Sequence, residues 1–299
     1  MIKKIYIVFI LLMCLCRPAC AAYERVISLS PAITEILFAL EAEEHLVGVS
    51  SYCDYPPRAK EITDMGGFIN PNMERILLQK PDMVILSPNS GTKMIQEALD
   101  RLKITNQVVS FYTVEQLLEA YTEVGALVGK HEEAAHLRTL LESTIAELSS
   151  KTEAETRPTI LFVREHSPLY VSGEGTYEDD LIRIVGGNNS IRGEAGRYPQ
   201  YTLESVIALD PDIVIDAAYY ETPTAEQQKS IRSFWSRLKT INAVQNKKVF
   251  IIKTDIHSVP GPRTPKLLRL LAQIVHPEIF GEETELSLNV LEEIKRLKD

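Results

Sequence analysis

A short device occurs twice along the chain. NMERILLQKPDMVIL runs from Asn72 to Leu86, and TLESVIALDPDIVID runs from Thr202 to Asp216. In each copy a glutamate stands seven residues before a Pro-Asp pair, and an apolar run follows. The offset is constant, since Glu74 to Glu204 and Pro81 to Pro211 are both 130 residues. Each copy spells a short helix that stops and hands over to a buried strand, because the residue before proline avoids the helical region. A chain that uses this unit twice is constrained to two similar halves, each alternating helix with strand.

The rest of the chain follows that constraint. Apolar β-rich runs recur at 25–30, 46–50, 83–87 and 107–112, and again at 159–164, 169–173, 212–217 and 248–253. Most are apolar almost throughout, as strands covered on both faces are. Helical patterns lie between them, which predicts largely parallel sheets and an α/β fold. Between the two sets, HEEAAHLRTLLESTIAELSS (131–150) keeps helical spacing with no glycine or proline. Twenty such residues make a rod of about 30 Å. The expected organisation is a signal peptide at 1–21, an N-terminal lobe at 22–126, a spanning helix at 127–156 and a C-terminal lobe at 157–299.

The signal peptide rests on Lys3 and Lys4, the apolar run Ile5–Leu15, and the small residues Ala19 and Ala21 before Ala22. The run is about half of the roughly 20 residues a membrane span needs, so cleavage is expected rather than anchoring. Neither Cys14 nor Cys20 sits in a good lipobox, so a lipoprotein is the lesser expectation. Loss of 1–21 removes Lys3, Lys4 and Arg17 from the 32 basic residues, leaving 29 against 41 acidic, a balance of −12. That excludes a nucleic-acid partner, which needs a basic face. Cys53 alone remains of the four cysteines, so the exported chain has no intramolecular disulfide.

Catalytic and metal motifs are mostly absent. In HEEAAH (131–136) the histidines are five apart, about 140° off one helix face, where a shared zinc needs four. There is no nucleophile elbow and no phosphate loop. Aromatic residues instead follow the strands: Tyr52 and Tyr55, Phe68, Tyr198 and Tyr201, and Tyr219 and Tyr220. Ligands of open α/β sheets sit beyond the carboxyl ends of the strands. Tyrosine there offers a flat apolar face with a polar tip. Each such tyrosine also fits simple packing, and Glu74 and Glu204 equally fit favourable first-turn helix acids.

Together, SLSPAITEILFALEAEEHLVGVSSYCDYPP, NPNMERILLQKPDMVIL, GGNN, TLESVIALDPDIVI and VPGPR resemble the substrate-binding proteins of ABC importers for cobalamin, ferric siderophores and haem. The likeness covers nearly the whole mature chain in the family's order, with the cobalamin binders nearest through SSYCDYPP and N-x-E-R-I. It implies two α/β lobes joined by one long rigid helix, with the ligand in the cleft between them. It implies that Glu74 and Glu204 dock on arginines of a membrane permease. It implies ligand contacts from Tyr52, Phe68, Tyr198, Asp255, His257 and Arg263, where Phe68 and Tyr198 take positions the cobalamin binders fill with tryptophan. Arg263 suits a carboxylate, phosphate or propionate, or simply opens a helix.

The expected function is capture of a corrinoid outside the inner membrane, in the periplasm, and delivery to a permease and ATPase. The alternatives are a ferric siderophore or haem on the same scaffold, an exported enzyme, and a metal-ion binder. No cofactor, resident metal or catalytic residue is expected, and the chain is expected to be a monomer.

Overall fold

In the computed structural model, residues 22–193, 196–218, 224–252, 259–281 and 287–289 are described. The expected signal peptide, Tyr219, Tyr220, Asp255 and His257 lie outside them. The chain divides into two compact units. The first comprises 1–109 and 122–134, and the second 110–121 and 135–299.

The first unit holds a sheet of β1 (Val26–Ser28), β2 (Leu46–Val49), β3 (Met83–Leu86) and β4 (Asn106–Val108). Their order is β2-β1-β3-β4, and every pairing is parallel. The connecting helices are α1 (Pro31–Ala39), α2 (Met73–Gln79) and α3 (Thr92–Arg101). β1 and β3 are buried at every position, which is why they read as unbroken apolar runs. Ile27, Leu29, Met65, Ile76, Val84, Leu86, Ile95 and Leu99 form the core. The strand expected over 107–112 stops at Val108, and from Ser110 the chain belongs to the second unit.

Two helices are shared by residue between the units. α4 (Val114–Leu127) passes from the second to the first after Tyr121, and α5 (His131–Thr152) returns after Ala134. Within the expected 127–156 segment, Gly129 at φ +71 turns the chain between them. In the second unit, Glu147 on α5 accepts hydrogen bonds from Arg269 and Lys151, which hold its carboxyl down at about 2.

The second unit holds β5 (Thr159–His166), β6 (Leu169–Val171), β7 (Asn188–Asn189), β8 (Gln200–Tyr201), β9 (Ile213–Asp216), β10 (Val249–Ile252) and β11 (Ser287–Asn289). The order is β11-β10-β9-β5-β6-β8, with β7 also on β5. β10, β9, β5 and β7 run parallel, while β6, β8 and β11 add antiparallel edges. Its helices include α6 (Tyr177–Ile184), α7 (Leu203–Leu209), α8 (Ala225–Ser236), α9 (Asn242–Gln245), α10 (Thr264–Val275) and α11 (Pro277–Phe280). β7, β8 and β11 are two or three residues long, too short to show any period in the sequence.

The repeated device folds alike in both units. Asn72 caps α2 by accepting from the Arg75 N–H, and Thr202 caps α7 by accepting from the Ser205 N–H. Ile76 and Val206 are fully buried beneath the two helices. Lys80 at φ 48 and Asp210 at φ 43 end them in the left-handed conformation. The Asp82 carboxylate accepts the Glu24 and Arg25 N–H groups at the entry to β1, at 2.9 and 3.0 Å. The Asp212 carboxylate accepts the Thr159 N–H and hydroxyl at the entry to β5, both at 2.8 Å.

Ile76→Ala removes a fully buried side chain from the first core. It should cost about 2–5 kcal/mol of unfolding free energy in urea, while Ala at the exposed Leu78 changes it by less than about 0.5 kcal/mol.

Candidate functional site

In the first unit β2 runs straight into the Tyr52 loop. Tyr52 is 58% exposed, and Phe68 meets its ring edge-on with centroids 5.2 Å apart at 73°. Ile69, beside Phe68, is also exposed. That segment can lie where it does because Gly91 has no side chain, since a Cβ there would stand 2.4 Å from the Ile69 carbonyl oxygen. Below the loop, Cys53 is buried with its sulfur 3.2 Å from the Thr34 hydroxyl and 3.4 Å from that of Ser50. Burial pushes the Cys53 thiol up, and the hydrogen bonds from Ser50 and Thr34 only partly offset it.

Asp64 ties this loop to α2. Its carboxylate accepts from the Ser51 hydroxyl at 2.7 Å, the Gly66 N–H at 2.8 Å and the Arg75 guanidinium at 3.2 Å. The Ser51 hydrogen bond is the largest cause holding its carboxyl below the ordinary aspartate range, and the Gly66 N–H is the next favourable one.

In the second unit β5 ends in Arg164, Glu165 and His166. Arg164 pairs with Glu178 in the first turn of α6, where the carboxylate is almost wholly buried. Only one Glu178 oxygen is engaged, because Oε2 is buried without a hydrogen-bond partner. Arg164 also lies over the Tyr198 ring, 4.7 Å from its centroid. Arg197 lies in the same way over Tyr112, at 4.8 Å. Tyr198 is 39% exposed, and its phenol is pushed up to about 12, first by burial and next by the Glu178 charge. Close backbone packing positions both Arg197 and Tyr198. The Gly173 N–H donates to the Arg197 carbonyl at 2.7 Å, and a Cβ on Gly173 would reach within 2.2 Å of the Gly196 carbonyl oxygen.

Beside this cluster, the fully buried Asp216 at the end of β9 joins His166 Nε2 at 2.8 Å and accepts the Trp235 indole N–H at 2.7 Å. Phe234 stacks on the His166 ring, with centroids 4.5 Å apart. Arg263 stands directly before α10 as its N-cap residue.

Glu74 and Glu204 occupy the first turns of α2 and α7, both exposed. An aliphatic neighbour three residues on is exposed in each case: Leu77 at 44% and Ile207 at 43%. The Glu204 carboxyl is held below the ordinary range, first by its own backbone N–H and then by the Thr202 hydroxyl.

Of the residues the sequence singled out, the structure brings Tyr52 to Phe68, and gives Glu74 and Glu204 matching surroundings. Tyr198 and Arg263 both belong to the second unit. The sequence did not single out Arg164, Glu178, Arg197 or Tyr112. The available signal was a charge at the end of an apolar strand, in TILFVR.

The periplasmic binding protein family model matches residues 26–256. A vitamin B12-binding protein of Salmonella typhi is 30% identical over 223 residues, covering 75% of this chain and 81% of that one. An uncharacterized ABC transporter substrate-binding lipoprotein of Bacillus subtilis is 25% identical over 269 residues, covering 87% and 82%. The crystal structure of a periplasmic heme binding protein from Pseudomonas aeruginosa superposes with a TM-score of 0.77 at 20% identity, over 89% of this chain and 97% of that one.

The buried thiol gives a direct check. Cys53 should react with Ellman's reagent in the native protein at under about a tenth of its rate in the denatured chain, followed at neutral pH.

Proposed function

Because the chain belongs to the periplasmic binding protein family, we propose that it is the substrate-binding component of an ABC importer and that its cargo is a corrinoid of the cobalamin type. The observation that carries the cargo is the 30% identity to a vitamin B12-binding protein over three-quarters of this chain. Binding, not catalysis, is the work of this family. In this reading the chain acts outside the inner membrane after export, with cleavage before Ala22.

The ligand is met by the aromatic loops beyond the strands. Tyr52 presents an exposed ring backed by the half-buried Phe68 in the first unit, and Tyr198 presents another in the second. Flat apolar rings suit a macrocycle, whose burial is driven by the area removed from water. Haem or a ferric siderophore is the second reading. It is favoured by Phe68 and Tyr198 themselves, which stand where the resemblance to cobalamin binders implies tryptophan. Asp255, His257 and Arg263 complete the ligand set in this proposal.

Delivery falls to Glu74 and Glu204. Each projects from the first turn of a short capped helix pinned to the sheet, so neither needs ordering on docking. Exposed interfacial charges of this kind mainly steer the encounter with a basic partner. The backbone N–H and Thr202 hydrogen bonds favour the charged form of Glu204.

Calorimetry and visible spectra with cyanocobalamin, haemin and a ferric siderophore should give heat with cobalamin alone. A Soret shift with haemin instead would replace the corrinoid with haem. A Glu74→Arg/Glu204→Arg variant should hold ligand affinity within about twofold yet lose uptake through the permease, and normal uptake would remove the docking role.

A further inference from the structure

We propose that Arg164 and Arg197 form an anion-reading subsite for the cargo, so that the ligand carries a phosphate or carboxylate group presented to the second unit. The inference rests on the reading of this chain as a solute-binding protein and adds the chemistry of what it selects.

Each guanidinium lies over a tyrosine ring, Arg164 on Tyr198 and Arg197 on Tyr112. Stacking fixes the plane of a guanidinium while leaving its edge N–H groups free to donate. Arg164 spends part of its edge on the buried Glu178 carboxylate, which orients it. Arg197 is exposed, and no carboxylate pairs with it among the described residues. Of the two guanidiniums, only that of Arg164 has a carboxylate partner among the described residues.

Its setting makes this informative. The mature chain has 29 basic and 41 acidic residues, so the general field repels anions. A local positive pair beside a candidate ligand-binding tyrosine works against that field at one spot. Two rigidly held guanidiniums match the planar or forked oxygens of a carboxylate or phosphate. The packing of Gly173 against the 196–197 backbone fixes where Arg197 is offered. A stack on tyrosine alone would not call for the second cation or for its lack of an acid partner.

The test uses two pairs of probes in calorimetry at low salt. One pair is cyanocobalamin and dicyanocobinamide, which lacks the nucleotide loop and with it the phosphodiester. The other is haemin and its dimethyl ester, which lacks the free carboxylates. The wild-type protein should bind the phosphate- or carboxylate-bearing member of a pair at least about tenfold more tightly. Arg197→Gln should reduce that preference to about threefold or less. Arg164→Gln combined with Glu178→Gln should do the same, because it removes the buried pair together and leaves no orphaned carboxylate.

Preference in the haemin pair without cobalamin binding would end the corrinoid reading and support the subsite. Cobalamin bound equally tightly by wild type and both variants would support the corrinoid reading and overturn the subsite. Absence of binding to all four probes would overturn both.

Discussion

A carboxylate that accepts two donors at the entry to the first strand sets the frame of each unit. Asp82 holds the entry to β1, and Asp212 holds the entry to β5. An aspartate that accepts two donors is worth more than either hydrogen bond alone, because each bond is charge-assisted. The preceding proline denies the helix another turn, and a left-handed residue ends it just before. The end of one helix is thereby fixed to the start of a strand that lies far away in sequence. With that junction set, the first-turn glutamate has one place to go.

Asp64 makes a second link in the first unit. Arg75 follows Glu74 on α2 and contacts Asp64, which in turn holds Ser51 beside Tyr52. The ring proposed to meet cargo and the acid proposed to meet the permease therefore share an anchor. The contacts are exposed and each contributes modestly. Their value is positional, since the loop and the helix take their places from the same carboxylate.

The fold was legible because buried parallel strands write themselves as apolar runs. All eight of the runs read from the sequence overlap a strand, and the repeated device marked both units. What escaped was short or non-local. β7, β8 and β11 exist because an edge is offered to them, which no local pattern records. The strand expected over 107–112 stopped early, because Ser110–Tyr121 packs with the second unit. The candidate sites divide in the same way. Tyr52, Phe68 and the two glutamates were visible as residue types at element ends. The Arg164–Glu178 pair joins residues from β5 and α6, and Arg197 meets Tyr112 from 85 positions away. Such partners are set by packing, not by spacing.

The two units are alike around the repeated device and unlike at their aromatic loops. Around Glu74 and Glu204 the caps, buried anchors, exposed aliphatics and left-handed ends all correspond. The aromatic loops do not. The first unit offers tyrosine, phenylalanine and isoleucine with their charges tied off below. The second offers tyrosines capped by guanidiniums. Loops can diverge at little cost once the junction beneath them is fixed, because they carry few of the contacts that hold the core.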